Sequence, residues 1–268
     1  MSSAACTVRE TDVRLGGYCL RVQTLRVPDK AADARPWLVF LHDSLGCIRL
    51  WRDFPARLAL ATGCHALVYD RRGYGQSTPF SGEPRGLDYL AAEAPVLHQL
   101  LDACQVDRAV LFGHSDGGSI ALLAAARFPT RVAAVVTEGA HVFVEDLTLA
   151  GIRAAQAQYL TTNLPERLAR YHGDKTDAVF RAWADTWLLP EFRDWNIESH
   201  LPRIGCPVLV LQGAADEYGT AAQVEAIARQ VGGPAEAVLL PGAAHSPHKE
   251  APHETLRLAV DFVRRACA

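Results

Sequence analysis

Gly113-His114-Ser115-Asp116-Gly117 sets a serine between two glycines, where the apolar run Val110 to Phe112 gives way to the small-residue stretch Ile120 to Ala126. The run reads as the end of a buried strand and the stretch as a helix, so Ser115 falls in the turn between them. So tight a turn leaves no room for bulk beside the serine and forces its hydroxyl out to where a substrate can meet it. That hydroxyl then stands at the first turn of a helix, whose unpaired N–H groups and positive dipole end favour a developing anion. The pattern is short, and its position between strand and helix is what gives it weight. The chemistry it suits is nucleophilic attack on a carbonyl.

A serine hydroxyl is a poor nucleophile unless a base touches it, and the base must itself be oriented. His245, in Pro241-Gly242-Ala243-Ala244-His245-Ser246-Pro247, follows the last apolar run on a loop of small residues that leaves an imidazole free to reach Ser115. His248 and His253 compete for the role, whereas His114 is too close in the chain to turn back and reads as a structural residue of the turn. The orienting acid is expected at Asp216, in Gln212-Gly213-Ala214-Ala215-Asp216-Glu217, with Glu217 and Glu138 as alternatives. An aspartate after a glycine turn also serves as a helix cap; it is the arrival of serine, acid and base in that order on three loops that favours catalysis. Charge on a carbonyl oxygen needs aimed donors, each worth roughly 3 kcal/mol of barrier. The backbone N–H groups of Asp116 and of Ser44 are the expected pair.

The elements that must carry these residues can be read from the apolar pattern. Thr7 to Val27 alternates around Gly16-Gly17, as in a hairpin, and Trp37 to Leu41 and His65 to Tyr69 read as strands buried on both faces. Ala109 to Phe112, Val132 to Val136, Cys206 to Gln212 and Ala237 to Leu240 complete eight strands, and Arg52 to Ala61, Tyr89 to Cys104, Ala221 to Val231 and Glu254 to Arg265 read as helices between or after them. Alternation at this spacing predicts an α/β fold, a mostly parallel sheet covered on both faces. Ligands of such sheets bind at the carboxyl ends of the strands, where His42, Arg71, Ser115 and Glu138 all fall. From His141 to Leu201 the strand runs vanish and large residues accumulate, among them Tyr159, Phe180, Trp183, Trp187, Phe192 and Trp195. The segment predicts a helical cap, 141–201, inserted in a core made of 1–140 and 202–268.

Forty-nine per cent of the 268 residues are hydrophobic, enough for a sizeable core, and the net charge of -3 offers nothing to nucleic acid or an anionic membrane. The seven cysteines are odd in number and scattered without metal-ligand spacing, which suggests reduced thiols and a cytoplasmic chain. Met1 to Glu10 carries no basic segment followed by an apolar run, and no stretch approaches a membrane span. No metal or cofactor is expected; the partner is a small molecule, and a homodimer is one option for assembly.

In order, the segments His42-Asp43-Ser44, Asp70-Arg71-Arg72-Gly73-Tyr74-Gly75-Gln76-Ser77, the Ser115 turn, the cap, Gly213 to Asp216 and Gly242 to His245 resemble the α/β-hydrolase family. The resemblance implies an eight-stranded sheet with helices on both faces, a helical cap, and a serine hydrolase acting on a small ester. Asp43 departs from it, since the family usually has glycine there; this puts a carboxylate beside the pocket and the second oxyanion donor in question. A narrower set, Ser115 to Gly118, Ala124 to Pro129, Gly151-Ile152-Arg153, Trp183 and Trp195-Asn196-Ile197, is similar to the valacyclovir hydrolase (biphenyl-hydrolase-like) group. That resemblance implies α-amino-acid esters, with Asp116 receiving the substrate ammonium. An acid in the first turn of a helix is also favourable with no ligand at all. Asp43, Asp116, Glu138, His141 and Trp187 are the expected substrate-binding residues, and three acids on one edge favour a cation unless Arg71 or Arg72 neutralises them. Two other readings stand beside the ester: C–C hydrolysis of a ring-cleavage dienone by the same triad, and a ligand-binding protein that no longer turns over.

Overall fold

A computed structural model describes residues 5–81 and 85–267 of the chain. The first residues of the segment on which a leader was discounted, and the outermost residues of the expected core, lie outside that range. The hairpin is β1 (Thr7–Leu15) and β2 (Tyr18–Arg26), joined at Gly16-Gly17. There follow β3 (Trp37–Leu41), β4 (Ala66–Tyr69), β5 (Ala109–His114), β6 (Val132–Glu138), β7 (Val208–Gly213) and β8 (Ala235–Leu240). They form one eight-stranded sheet in the order β1-β2-β4-β3-β5-β6-β7-β8, with β2 antiparallel to both its neighbours, β1 and β4, and every other pairing parallel.

Strands buried on both faces divide their side chains between two cores, because successive residues point to opposite sides. On β3, Val39 and Leu41 join the core beneath α2 (Tyr89–Ala103), α3 (Asp116–Arg127) and α7 (Ala221–Gln230). Leu38 and Phe40 join the other, beneath α1 (Phe54–Thr62) and α9 (Pro252–Ala266). The continuous apolar runs in the sequence thus report a covered sheet. Between β6 and β7 lie α4 (Asp146–Thr161), α5 (Leu164–His172) and α6 (Thr176–Trp187), a helical cap region whose two ends meet at a bridge between Phe143 and Asn196. A one-turn helix, α8 (Pro247–Glu250), follows the His245 loop. No helix among the described residues is long and apolar enough to cross a membrane.

Strand order reverses around β3: the chain moves from β3 outward to β4, then returns to the other side of β3 as β5. The carboxyl ends of β3 and β5 therefore flank a crevice, the usual ligand position in such sheets. The loop 42–47 and the Ser115 turn are the two segments that open into it.

Expected boundaries move by a few residues, each for a local reason. The elbow helix starts at Asp116, ahead of Ile120, because the turn occupies Ser115 alone. The first helix starts at Phe54 because Arg52 has φ +52, outside helical space. The closing helix starts at Pro252, whose fixed φ suits a first helical position.

Both glycines of the motif are demanded by contact. A Cβ on Gly117 would stand 2.0 Å from the Leu41 carbonyl oxygen, and one on Gly113 2.2 Å from that of Gly117. Gly117→Ala is expected to cost at least ~1–3 kcal/mol of stability, the usual range for overpacking, because the clash is with backbone; urea unfolding beside the parent chain measures it.

Candidate active site

His245 and Asp216 meet as the loop positions suggest. Nδ1 of His245 lies 2.9 Å from Oδ1 and 3.0 Å from Oδ2 of Asp216. The carboxylate can only accept, so Nδ1 carries the proton and Nε2 keeps a lone pair. Asp216 also accepts the Tyr218 N–H at 2.9 Å. Burial alone would raise the Asp216 carboxyl, but the hydrogen bond and charge of His245 outweigh it and hold the group below its ordinary value. The ring of Tyr218 packs 4.7 Å from that of His245 and covers it.

Ser115 sits at φ +54, ψ −122, a conformation that costs an L-residue about 1–3 kcal/mol. Its own N–H is tied to the Glu138 carbonyl at 2.9 Å, and helix α3 begins at the next residue. The N–H of Asp116, first in that helix, has no intrahelical acceptor. On the facing loop, His42 Nε2 accepts the Arg71 N–H at 3.0 Å, which leaves its Nδ1–H to donate to the Asp43 carbonyl at 2.7 Å. Burial, then the charge of Arg71, lowers His42 well below the usual imidazole range, consistent with this neutral tautomer. Arg71 Nη2 and the Gly46 N–H reach the same carbonyl, at 2.9 and 3.2 Å. A trans peptide points its C=O and N–H in opposite directions. Three donors on the Asp43 oxygen therefore turn the Ser44 N–H away from them.

Ser44, Ser115, Asp116 and His245 border one cavity of about 190 Å³, closed from the cap side by Ile152, Trp183 and Trp187. Of the expected substrate-binding residues, Asp43, Asp116, His141 and Trp187 are on its wall. Glu138 is a correction: it is fully buried away from the cavity, taking the backbone N–H and Nδ1 of His248. Lying at the end of β6, it faces the loop after β8 rather than the opening above the sheet. Burial opposes its charge, yet His248 holds its carboxyl below the ordinary value. His248 is thereby spoken for, and it does not line the cavity. His141 gives its Nε2–H to the Tyr218 carbonyl at 3.0 Å, and burial with His245 nearby lowers its pKa.

Three further arrangements complete the site, the first of them the neutralisation that Arg71 or Arg72 could offer and the other two without a signal in the sequence. Arg71 Nη2 lies 3.7 Å from Asp116 Oδ2, with both side chains buried. Trp187 Nε1–H donates to the Tyr89 hydroxyl at 2.8 Å, and Tyr89 donates to Asp116 Oδ2 at 3.0 Å, so the cap is wired to the residue after Ser115. His114 Nε2 donates to the His245 carbonyl at 2.9 Å while its Nδ1 lies 3.7 Å from Asp43. His114, Glu138 and His248 also bring ligand-type atoms within 4.8 Å of one another, the one such cluster among the described residues. Those atoms are already engaged with each other, with Asp43 and with the His245 carbonyl. The cysteines of the described residues are all free thiols.

A sheet of this order, with a helical cap region and a serine at the turn after β5, defines an α/β hydrolase. Residues 38–258 match the α/β hydrolase family, and the chain belongs to it, which assigns hydrolase-type enzymatic chemistry. It is 31% identical over 205 residues to the serine hydrolase BPHL of Homo sapiens, covering 74% of this chain and 69% of that protein. The 2-hydroxy-6-oxo-2,4-heptadienoate hydrolase of Pseudomonas putida is 33% identical over a shorter 106 residues, 38% of this chain and 37% of that one. Among solved structures, the 2-hydroxy-6-oxo-6-phenylhexa-2,4-dienoate hydrolase of Rhodococcus sp. strain RHA1 superposes with a TM-score of 0.81 over 97% of this chain and 99% of its own, at 16% identity. That last likeness is one of fold alone.

Burial would lower the His114 pKa, but Asp43 and Glu138 outweigh it and raise the group above 6.5. A raised folded-state pKa contributes stability fully below the unfolded value and loses it as pH climbs through the folded one. The stability lost in His114→Gln is therefore expected to be larger near about pH 5.5 than near about pH 8.5, read as paired urea midpoints at each pH.

Proposed function

We propose that the chain is a serine hydrolase of the carboxylesterase type, cleaving a small ester through an acyl-enzyme formed on Ser115. The observation that carries the reading is the two-oxygen contact of Asp216 with His245 Nδ1, which leaves Nε2 as a base on the cavity that Ser115 borders. Ser115 Oγ attacks the ester carbonyl while Nε2 takes its proton. The oxyanion is met by the N–H groups of Asp116 and Ser44. Nε2 then returns the proton to the departing alcohol as the C–O bond breaks. Water, deprotonated by the same nitrogen, attacks the acyl-enzyme; the bond from the acyl carbon to Ser115 Oγ breaks, Nε2 returns the proton to Oγ, and the acid leaves. Neither a metal nor a cofactor is needed for these steps, and the apolar wall of Ile152, Trp183 and Trp187 suits a short acyl or alkoxy group.

A second reading, C–C hydrolysis of a ring-cleavage dienone, is favoured by one detail. The Ser44 hydroxyl is buried beside the cavity without a protein partner, free to serve a substrate oxygen that a simple ester lacks. The name of the Pseudomonas putida relative belongs to the same chemistry.

Ser115→Ala and His245→Ala are each expected to lower ester turnover by about 10⁴–10⁶-fold, and Asp216→Asn by about 10⁴-fold, with unchanged circular dichroism. Full activity in any of them overturns the assignment. The panel of p-nitrophenyl acetate, p-nitrophenyl butyrate and a dienone ring-cleavage product separates the two hydrolytic readings. A serine-directed phosphonate that fails to label the folded protein, while labelling a known hydrolase, would instead indicate a binding protein.

A further inference from the structure

We propose that Arg71 sets the charge preference of the cavity: by compensating Asp116 it makes the site one for uncharged acyl esters rather than ammonium-bearing ones. The proposal rests on the hydrolase reading above and names the substrate class of that same cavity. An acid directly after the nucleophile, on the cavity wall, would attract a substrate cation if its charge were free. Here it is not free. Asp116 is 1% exposed, its Oδ2 takes the Tyr89 hydroxyl at 3.0 Å, and the Arg71 guanidinium, wholly buried, lies 3.7 Å away.

The Arg85 guanidinium carbon lies 4.5 Å from the centre of the Tyr89 ring, and Tyr89 bonds Asp116, so a second cation stands behind the same carboxylate. The other acids on the cavity wall are likewise paired or screened. Asp43, the next acid on the wall, faces His114 at 3.7 Å. Glu217 also borders the cavity, but it is exposed and its field is screened by water and salt. An ammonium entering beside Asp116 would have to share a carboxylate with a fixed guanidinium, and like charges held that close oppose each other. Arg71 cannot withdraw to make room: its Nη2 is held by the Asp43 carbonyl, and its guanidinium carbon lies 4.6 Å from the centre of the Tyr74 ring.

Arg71 also helps aim the Ser44 N–H, so its loss is expected to slow every substrate. A ratio between two substrates cancels that common effect and isolates charge. The matched pair is benzyl 2-aminobutanoate and benzyl butanoate, compared at about pH 6, where an α-amino group is protonated. The parent protein is expected to show no more than about a threefold kcat/KM advantage for the amino ester. Arg71→Met, freeing Asp116, is expected to raise the amino-to-plain ratio at least about tenfold, chiefly through KM, since a buried charge pair readily accounts for that much. Arg71→Lys should keep the parent ratio, and Arg71→Met/Asp116→Asn should return to it. Should Arg71→Met alone fail to fold, Asp116→Asn tests the same balance from the other side, by favouring the monobenzyl ester of succinate over benzyl butanoate.

A parent preference for the amino ester above about tenfold, or a ratio that does not move in the folded Arg71→Met protein, overturns the proposal. Calorimetric binding of both esters to Ser115→Ala reads the same charge preference without turnover. If the parent hydrolyses neither ester, the esterase reading fails while the binding ratio still decides the role of Arg71. Failure of both esters to bind overturns both readings, as does binding of the amino ester alone.

Discussion

The contact between Gly117 and the Leu41 carbonyl is the constraint on which the site depends. It lets the start of α3 press against the end of β3, so that the Ser115 turn and the 42–47 loop share one crevice. A side chain at Gly117 would push the two apart, and with them the two N–H groups proposed to receive the oxyanion. The strained backbone of Ser115 belongs to the same arrangement. A residue at φ +54 persists only where the surroundings over-determine it, and here the strand before it, the helix after it and the Glu138 carbonyl all do so.

Around that contact, hydrogen bonds fix the protonation of the buried histidines one by one. His42 receives a proton from the backbone on one nitrogen and therefore gives one from the other, turning the Asp43–Ser44 peptide. His245 gives its Nδ1 proton to Asp216, and His114 holds the carbonyl of His245 from below. The acids are treated alike: Asp43 faces His114, Asp116 faces Arg71, Glu138 faces His248 and Asp216 faces His245. A buried charge without a partner would be far more costly than these pairs. Pairing also explains why an edge so rich in acids need not be a cationic site.

The fold was legible because a covered parallel sheet writes itself as uninterrupted apolar runs separated by helices and turns. Val132 to Val136 and Trp37 to Leu41 could hardly be read otherwise, and the eight-stranded sheet follows from them. The positions of Ser115, Asp216 and His245 were legible for a related reason, since loops after strands all open on one edge. What the sequence did not disclose was which side of that edge a residue faces. Glu138 ends its strand beside the others, yet its side chain goes to His248, 110 positions away. The sequence offered Arg71 or Arg72 against three acids without choosing among them, and the structure pairs Arg71 with Asp116, 45 positions away; the Tyr89–Trp187 bond joins residues 98 positions apart with no shared pattern. Aromatic content likewise marked the cap without sorting it: Trp183 and Trp187 reach the cavity, while Tyr159 stacks on Phe180 and Phe192 on Trp195.

The Tyr89–Trp187 bond bears on how the cavity fills. Trp187 belongs to the cap and Tyr89 to the body, and both polar atoms are buried. Lifting α6 would break this bond while Tyr89 keeps its bond to Asp116, and a buried donor left unpaired costs about 1–3 kcal/mol. The hydrogen bond thus acts as a latch whose release is uphill, tying the place of Trp187 on the cavity wall to the residue that follows Ser115.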